Sequence, residues 1–320
     1  MDISKSPAKT IAWAVLLAVG LIACRGSNLE KPKAQAPPPD SPGTIEVSPA
    51  DPAPTVDPDS SCEQMFSNFY LETDSGAFNQ YEVVRLKKMV HIKETGLDIP
   101  VSYAVLKSDG KPIATFEGTY FGEGNQTDFG FASLLGGGTT QLVVSQTVPH
   151  GGRQWIIDLS SNAATVFDSD EWKMGDEDVC VDYDSSGIAE ISLSMTRFWG
   201  FGSMSMSESP LPGIGFKYDS RVRKYLPDKE ALVRALDGIE QDAAKIDPAE
   251  TVTNGLTGSY LATRLDILLR YIYAGQEREG WAFFDAKYNL PDKTETKRKI
   301  IAELEHEPVY RFVYGKKREG

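Results

Sequence analysis

The chain has little cysteine, little histidine, no long apolar run and a deficit of basic charge. Its 320 residues include 3 Cys and 3 His. His91, His150 and His306 are too scattered to share a metal by local spacing. No HExxH, CxxC, GxSxG or GxxxxGK[ST] string occurs, which removes the common zinc, redox, serine-hydrolase and phosphate-loop signatures. Neither Cys62 nor Cys180 has a histidine nearby in sequence, so nothing marks a thiol nucleophile. The longest apolar run, residues 11–22, falls well short of the roughly 20 residues that a membrane-spanning helix needs. Lys and Arg number 33 against 46 Asp and Glu, a formal net charge of −13. A surface of that sign is repelled by nucleic acid and by anionic lipid, so nucleic-acid binding is disfavoured.

The N-terminus carries the most specific signal. Lys5 and Lys9 precede the apolar run, which ends in Leu21-Ile22-Ala23-Cys24. This layout is that of an export signal, and the last four residues resemble the lipobox of bacterial lipoproteins. The resemblance implies that residues 1–23 are a signal peptide removed just before Cys24. It implies that the Cys24 thiol receives a diacylglyceryl group and that the new amine is acylated, for instance by palmitate. Two or more acyl chains hold a protein stably, where one gives marginal binding. The expected place is therefore the cell envelope, lipid-anchored and extracytoplasmic. Arg25, rather than Asp, follows the cysteine. In the lipoproteins resembled, that leans toward the outer membrane in a diderm organism, the alternative being the outer face of the cell membrane. With Cys24 committed to lipid, Cys62 and Cys180 remain in a compartment that permits disulfides, and they are expected to pair. In the chain-entropy model so long a loop stabilises by roughly 4–5 kcal/mol.

Residues 24–61 read as a lipidated, disordered tether. Nine of the chain's 19 prolines lie here, with Pro37-Pro38-Pro39 favouring polyproline II and almost no aromatic residue to bury. Residues 62–227 read as a β-rich domain. Strands are expected at 99–106, 112–116, 141–146, 154–159, 164–167, 179–181, 188–195 and 213–218, with Asp109-Gly110 as a hairpin turn. Residues 228–320 read as helical. Asp228 caps a helix over 229–246, and Asp247-Pro248-Ala249-Glu250 opens another. Leu261, Leu265, Leu268 and Ile272 form an apolar stripe stopped by Gly275. A helix starts at Gly280, and Asp292 opens one ended by Pro308. Residues 268–288 resemble one helix–turn–helix unit of a tetratricopeptide repeat. It occurs once, and an α-hairpin packed on its own domain accounts for it. The fold class expected is α+β: a β-rich domain of blade-like or sandwich hairpins followed by a helical C-terminal domain.

Three stretches are candidates for a site. In Asp182-Tyr183-Asp184-Ser185-Ser186-Gly187-Ile188-Ala189-Glu190, oxygen side chains fall at positions one, three, five and nine, with Gly at six. That spacing wraps a loop around a hard cation, and it resembles the calcium loops of FG-GAP and VCBS β-propeller repeats. The resemblance implies a calcium site formed by Asp182, Asp184, Ser186, the carbonyl of Ile188, and Glu190. Ser186 stands where the family has a carboxylate, which weakens the expected affinity. The plainer reading is a metal-free turn between strands. Residues 138–145 align with 187–194 at an offset of 49, a blade-like period, and residues 62–134 have room for one more diverged unit. The second stretch, a Gly/Ser-rich loop, carries Phe198, Trp199, Phe201, Met204 and Met206. Aromatic and Met side chains suit a face for an envelope protein or glycan, or a loop folded back into the core. The third stretch is the C-terminal basic cluster Lys293, Lys297, Arg298, Lys299, Arg311, Lys316, Lys317 and Arg318, which reads as a solvated helix face, the alternative being a contact with a lipid headgroup or polyanion. The function expected is a membrane-anchored, non-catalytic binding or interaction module. The alternative is a secreted carboxylate-based hydrolase of envelope polymer, because paired carboxylates cannot be recognised by spacing.

Overall fold

Between residues 73 and 227 the β-branched and aromatic runs form successive antiparallel meanders. The computed structural model describes residues 45–46, 73–92, 96–117, 126–148, 151–175, 180–183, 187–247 and 257–315. These residues belong to one compact unit, Pro42–Gly320. Sheet 1 holds β1 (Ile45–Glu46), β2 (Ser75–Phe78), β3 (Tyr81–Ile92), β4 (Leu97–Ser108) and β5 (Lys111–Phe116), side by side in that order. Sheet 2 holds β6 (Gln126–Ala132), β7 (Gln141–Val148), β8 (Gly151–Asp158) and β9 (Ala164–Asp168). Sheet 3 holds β10 (Cys180–Tyr183), β11 (Ala189–Ser194), β12 (Gly213–Asp219) and β13 (Lys224–Pro227). Each neighbouring pair is antiparallel except β1 with β2. The β4–β5 turn works as its sequence dictates. Asp109 and Gly110 take φ of 49° and 75°, the two positive values that a tight hairpin turn with native strand twist requires.

Sheet 2 lies between the other two. Leu142, Val144, Trp155 and Ile157 pack with Phe78, Val83, Leu106 and Phe116 of sheet 1. Their alternating neighbours Val143 and Ile156 pack with Ile191, Leu193, Ile214 and Phe216 of sheet 3. Ring contacts mark both seams: Phe116 with Trp155 at 5.4 Å between centroids, and Phe167 with Phe216 at 5.2 Å. A strand buried on both faces loses its polar alternation, which is why Leu142-Val143-Val144 and Trp155-Ile156-Ile157 are continuous apolar runs.

The helical part comprises α1 (Lys229–Arg234), α2 (Ile239–Lys245), α3 (Thr257–Tyr273), α4 (Glu277–Lys287), α5 (Lys293–Glu305) and α6 (Pro308–Tyr314). The stripe of Leu261, Leu265, Leu268 and Ile272 on α3 is buried and belongs to the same apolar cluster as sheet 3. Fully burying such a side chain contributes roughly 1.5–3 kcal/mol. The change from strand to helix at residues 227/228 thus lies inside one continuous core. The α+β layout, strands first and helices after, is as expected.

Several details differ from expectation. Strands β2, β3 and β6 are additional to the expected ones, and all three lie within residues 62–134. Ile45 and Glu46 lie within the stretch read as tether, yet pair in parallel with Gly76 and Ala77; Thr44-Ile45-Glu46-Val47 is a short β-prone island among prolines. The helix expected over 229–246 is two helices, interrupted where Gly238 takes φ of 77°. Pro308 opens α6 at its first position instead of merely ending α5. Asp292 precedes α5 but does not cap it through its side chain. Its carboxylate accepts instead from Tyr288 Oη at 3.0 Å and Thr296 Oγ1 at 3.3 Å. Gly275 stops α3 as expected, with φ of 80°.

Candidate functional site

The expected calcium stretch is a hairpin linking β10 to β11. Asp182 faces Glu190 across the ladder, and Tyr183 faces Ala189. Residues 184–186, and the side chains of residues 180–183, lie outside the described residues, and so do Cys24 and Cys62. The carboxylate of Glu190 is described, and it is engaged. Lys217 Nζ stands 3.1 Å from its Oε1, and Arg234 Nη2 lies 4.0 Å from its Oε2. Among the described residues no group of three or more His, Cys, Asp or Glu is placed to hold a metal. Gly138 and Gly187, the glycines aligned in sequence, precede the second strands of sheets 2 and 3 and take φ of 74° and 72°. The two loops touch: a Cβ on Gly136 would sit 2.8 Å from the Gly187 carbonyl oxygen, and Ala189 N donates to Leu134 O at 2.7 Å.

The aromatic loop folds back toward the core. Phe198 and Met204 are buried in the cluster shared with α3, and Phe201 packs on Phe198 at 5.4 Å. Trp199 is half-buried, and its indole nitrogen is buried with no hydrogen-bond partner. Met206 is the exposed member. Glu208 fastens the loop to the start of α3: its carboxylate accepts from Ser259 Oγ, and from Ser205 Oγ at 2.8 Å. Those bonds, with Ser259 first, hold the Glu208 carboxyl below its usual range.

Three described members of the basic cluster pair with acids: Lys297 with Asp285 at 2.8 Å, and Arg298 and Lys299 with Glu295 at 2.7 Å and 3.7 Å. Arg311 Nε donates to the Glu305 carbonyl at 2.7 Å.

Among the described residues there is also a depression that sequence spacing did not reveal. A cavity of ≈ 240 Å³ opens between the segment entering β12, helix α1 and helix α3. Leu211, Pro212, Ile214, Leu232 and Ala235 give it apolar walls. Asp266, Arg270 and Tyr273 line it from successive turns of α3, spaced so that they share one helix face. Arg270 is turned to other work. It donates to Ala235 O at 2.9 Å and Asp237 O at 3.3 Å, and pairs with Asp242 at 3.0 Å. Tyr273 Oη lies 2.8 Å from Met195 Sδ, and burial raises its hydroxyl well above the usual range. Asp266 has no hydrogen-bond partner among the described residues. Burial pushes its carboxyl up, against the opposing pull of Arg270. The signal was present in the sequence: Asp266 interrupts Leu265-Asp266-Ile267-Leu268-Leu269, a stretch apolar around the whole helix, where an acid is costly unless it has a use.

A cleft that sets Leu211, Pro212, Ile214 and Leu232 against Asp266, Arg270 and Tyr273 is suited to binding. Comparisons with family models, with curated proteins and with solved structures give no match for this chain.

Proposed function

We propose that this chain is a lipid-anchored, extracytoplasmic envelope protein whose folded part is a non-catalytic binding module. The anchor rests on Leu21-Ile22-Ala23-Cys24. The binding role rests on the cleft, whose described lining offers a single carboxylate, Asp266, beside Arg270, Tyr273 and apolar side chains. Glycoside hydrolysis instead calls for two carboxyl groups about 5–10 Å apart flanking the bond. Asp242, the acid that acts on Asp266 electrostatically, is held by Lys245 at 3.0 Å and by Arg270, outside the lining. Two measurements test the reading. Palmitate labelling of the wild type, lost in Cys24→Ser, supports the anchor. Release of soluble fragments from envelope polymer by the wild type, abolished in Asp266→Asn, would replace binding by the hydrolase reading.

Two further features belong to the proposal. Cys62 and Cys180 pair in the oxidising compartment, and two free thiols found by non-reducing mass spectrometry would remove that bond. Calcium at the Asp182 hairpin, if Glu190 is shared with Lys217, binds weakly, on the order of 10⁻⁴–10⁻³ M as in extracellular modules. A calorimetric titration with no heat at millimolar calcium would remove the ion.

A further inference from the structure

We infer that the cleft between the start of β12, α1 and α3 receives a primary alkylammonium group, with Asp266 as its counter-ion and the apolar walls around its methylene stem. The inference rests on reading this cleft as a binding site, and it names what the cleft takes. A half-buried carboxylate without a hydrogen-bond donor is unfavourable. It is relieved by taking up a proton or by receiving a cation. The nearest built-in cation is already spent, because Arg270 donates to Ala235 O, Asp237 O and Asp242. Asp266, Asp242, Arg270 and Lys245, the last 3.0 Å from Asp242, balance in charge, so what draws a cation here is local: the Asp266 carboxylate has no hydrogen-bond donor of its own among the described residues.

The class of cation follows from the lining. A hard metal ion asks for six or more oxygen ligands, whereas the described lining supplies one carboxylate and a tyrosine hydroxyl already directed at Met195. A guanidinium is planar and seeks bidentate partners, and a single acid among leucine, proline and isoleucine side chains meets only part of it. An ammonium is a compact point charge on an apolar stem. Leu211, Pro212, Ile214 and Leu232 match the stem, and Asp266 matches the head. A cavity of ≈ 240 Å³ takes a chain of about five non-hydrogen atoms with space to spare. Such a group comes either from a small free amine or from a lysine side chain of a peptide.

The test is ligand-observed NMR on the full lipidated chain at pH 8, with n-butylammonium, n-butanol and n-butyrate as probes. The wild type is expected to bind n-butylammonium saturably, with a Kd on the order of 1–10 mM for so small a ligand. Binding should be at least tenfold weaker in Asp266→Asn, and at least tenfold weaker for n-butanol. Ala235→Phe, which fills the same space and leaves the carboxyl in place, should also abolish it. The melting curve of each variant confirms that it is folded. Equal binding of n-butanol, or equal binding by Asp266→Asn, overturns the ammonium inference and leaves a binding cleft standing. No saturable binding of any probe overturns both. An arm with Nα-acetyl-L-lysine methylamide assigns the source. Affinity matching n-butylammonium supports a peptide lysine, and exclusion of this bulkier probe while n-butylammonium binds supports a free amine.

Discussion

Arg264 lies over the ring of Tyr260, one turn earlier on α3, with its guanidinium carbon 3.4 Å from the ring centroid. The same guanidinium donates through Nε to Lys287 O at 2.8 Å, through Nη1 to Tyr260 O at 2.9 Å and through Nη2 to Asp247 O at 3.2 Å. Residue 264 is 1% exposed. One buried side chain thus ties the end of α4 and the chain beyond α2 to α3, by filling carbonyl positions that helix ends leave open.

Arg264→Lys is therefore not conservative. An ammonium cannot present a planar fork to three carbonyls and a ring at once. The expected loss is roughly 2–4 kcal/mol of unfolding free energy, from charge-assisted bonds broken in a buried setting. Urea denaturation measures it. A loss under about 1 kcal/mol would show that the fork is not what joins these helices.

Gly280 marks where α4 crosses α3. A Cβ there would lie 3.0 Å from Tyr271 Cβ and 3.2 Å from both Leu268 Cδ1 and Leu268 O. Alanine gains about 1 kcal/mol of helix propensity over glycine. Overpacking a tight contact costs about 1–3 kcal/mol. Gly280→Ala is expected to lower stability by about 1 kcal/mol net, read as a fall in the denaturation midpoint. A rise would mean that the helices separate at no cost.

The parts of this fold legible in sequence are those in which local chemistry and tertiary packing agree. Asp109-Gly110 sets its turn, Asp228 caps α1 by accepting from Glu230 N at 3.0 Å, and the α3 stripe is buried as its spacing implies. Strand β3 was hidden because Arg85-Leu86-Lys87-Lys88 dilutes the apolar alternation, and its register is fixed by β4 along twelve residues. The break at Gly238 was hidden because the apolar spacing runs through it. Of the candidate sites, the Asp182 hairpin was read from spacing, which says nothing of Lys217 two strands away. Asp266 was missed because a lone acid carries no motif; its setting comes from α1 and β12, brought near by the fold.

Gln154 sits in β8 opposite Ser145, on the face of sheet 2 that carries Ile156 toward sheet 3. It is fully buried, and neither its amide nitrogen nor its amide oxygen has a partner. An unmade hydrogen bond at a buried polar group costs about 1–3 kcal/mol. Gln154→Met keeps the length and removes the polar atoms, so it is expected to raise the unfolding free energy by about 1 kcal/mol or more. A decrease of similar size in urea denaturation would mean that the amide is satisfied by an internal water that methionine expels.

Glu307 supplies the pH dependence. It is 0% exposed and caps α6, accepting from Val309 N at 2.9 Å and Tyr310 N at 2.5 Å. Burial outweighs these two amides and the more distant Arg197 and Arg311, and pushes the carboxyl up to about 7 from 4.5. The native state therefore holds this proton up to a higher pH than the unfolded chain does. Its contribution to stability falls as pH rises from about 4.5 to about 7, by roughly 3 kcal/mol in all at about 1.4 kcal/mol per unit. Glu307→Gln cannot ionise. It loses part of the cap, so its baseline stability drops, and that drop is not the readout. The readout is the difference in unfolding free energy between wild type and variant across pH 4–8. The advantage of the wild type should shrink with rising pH inside that window and level off above it. A difference that stays flat, or grows with pH, would mean that Glu307 is ionised throughout and that the amides of Val309 and Tyr310 outweigh its burial.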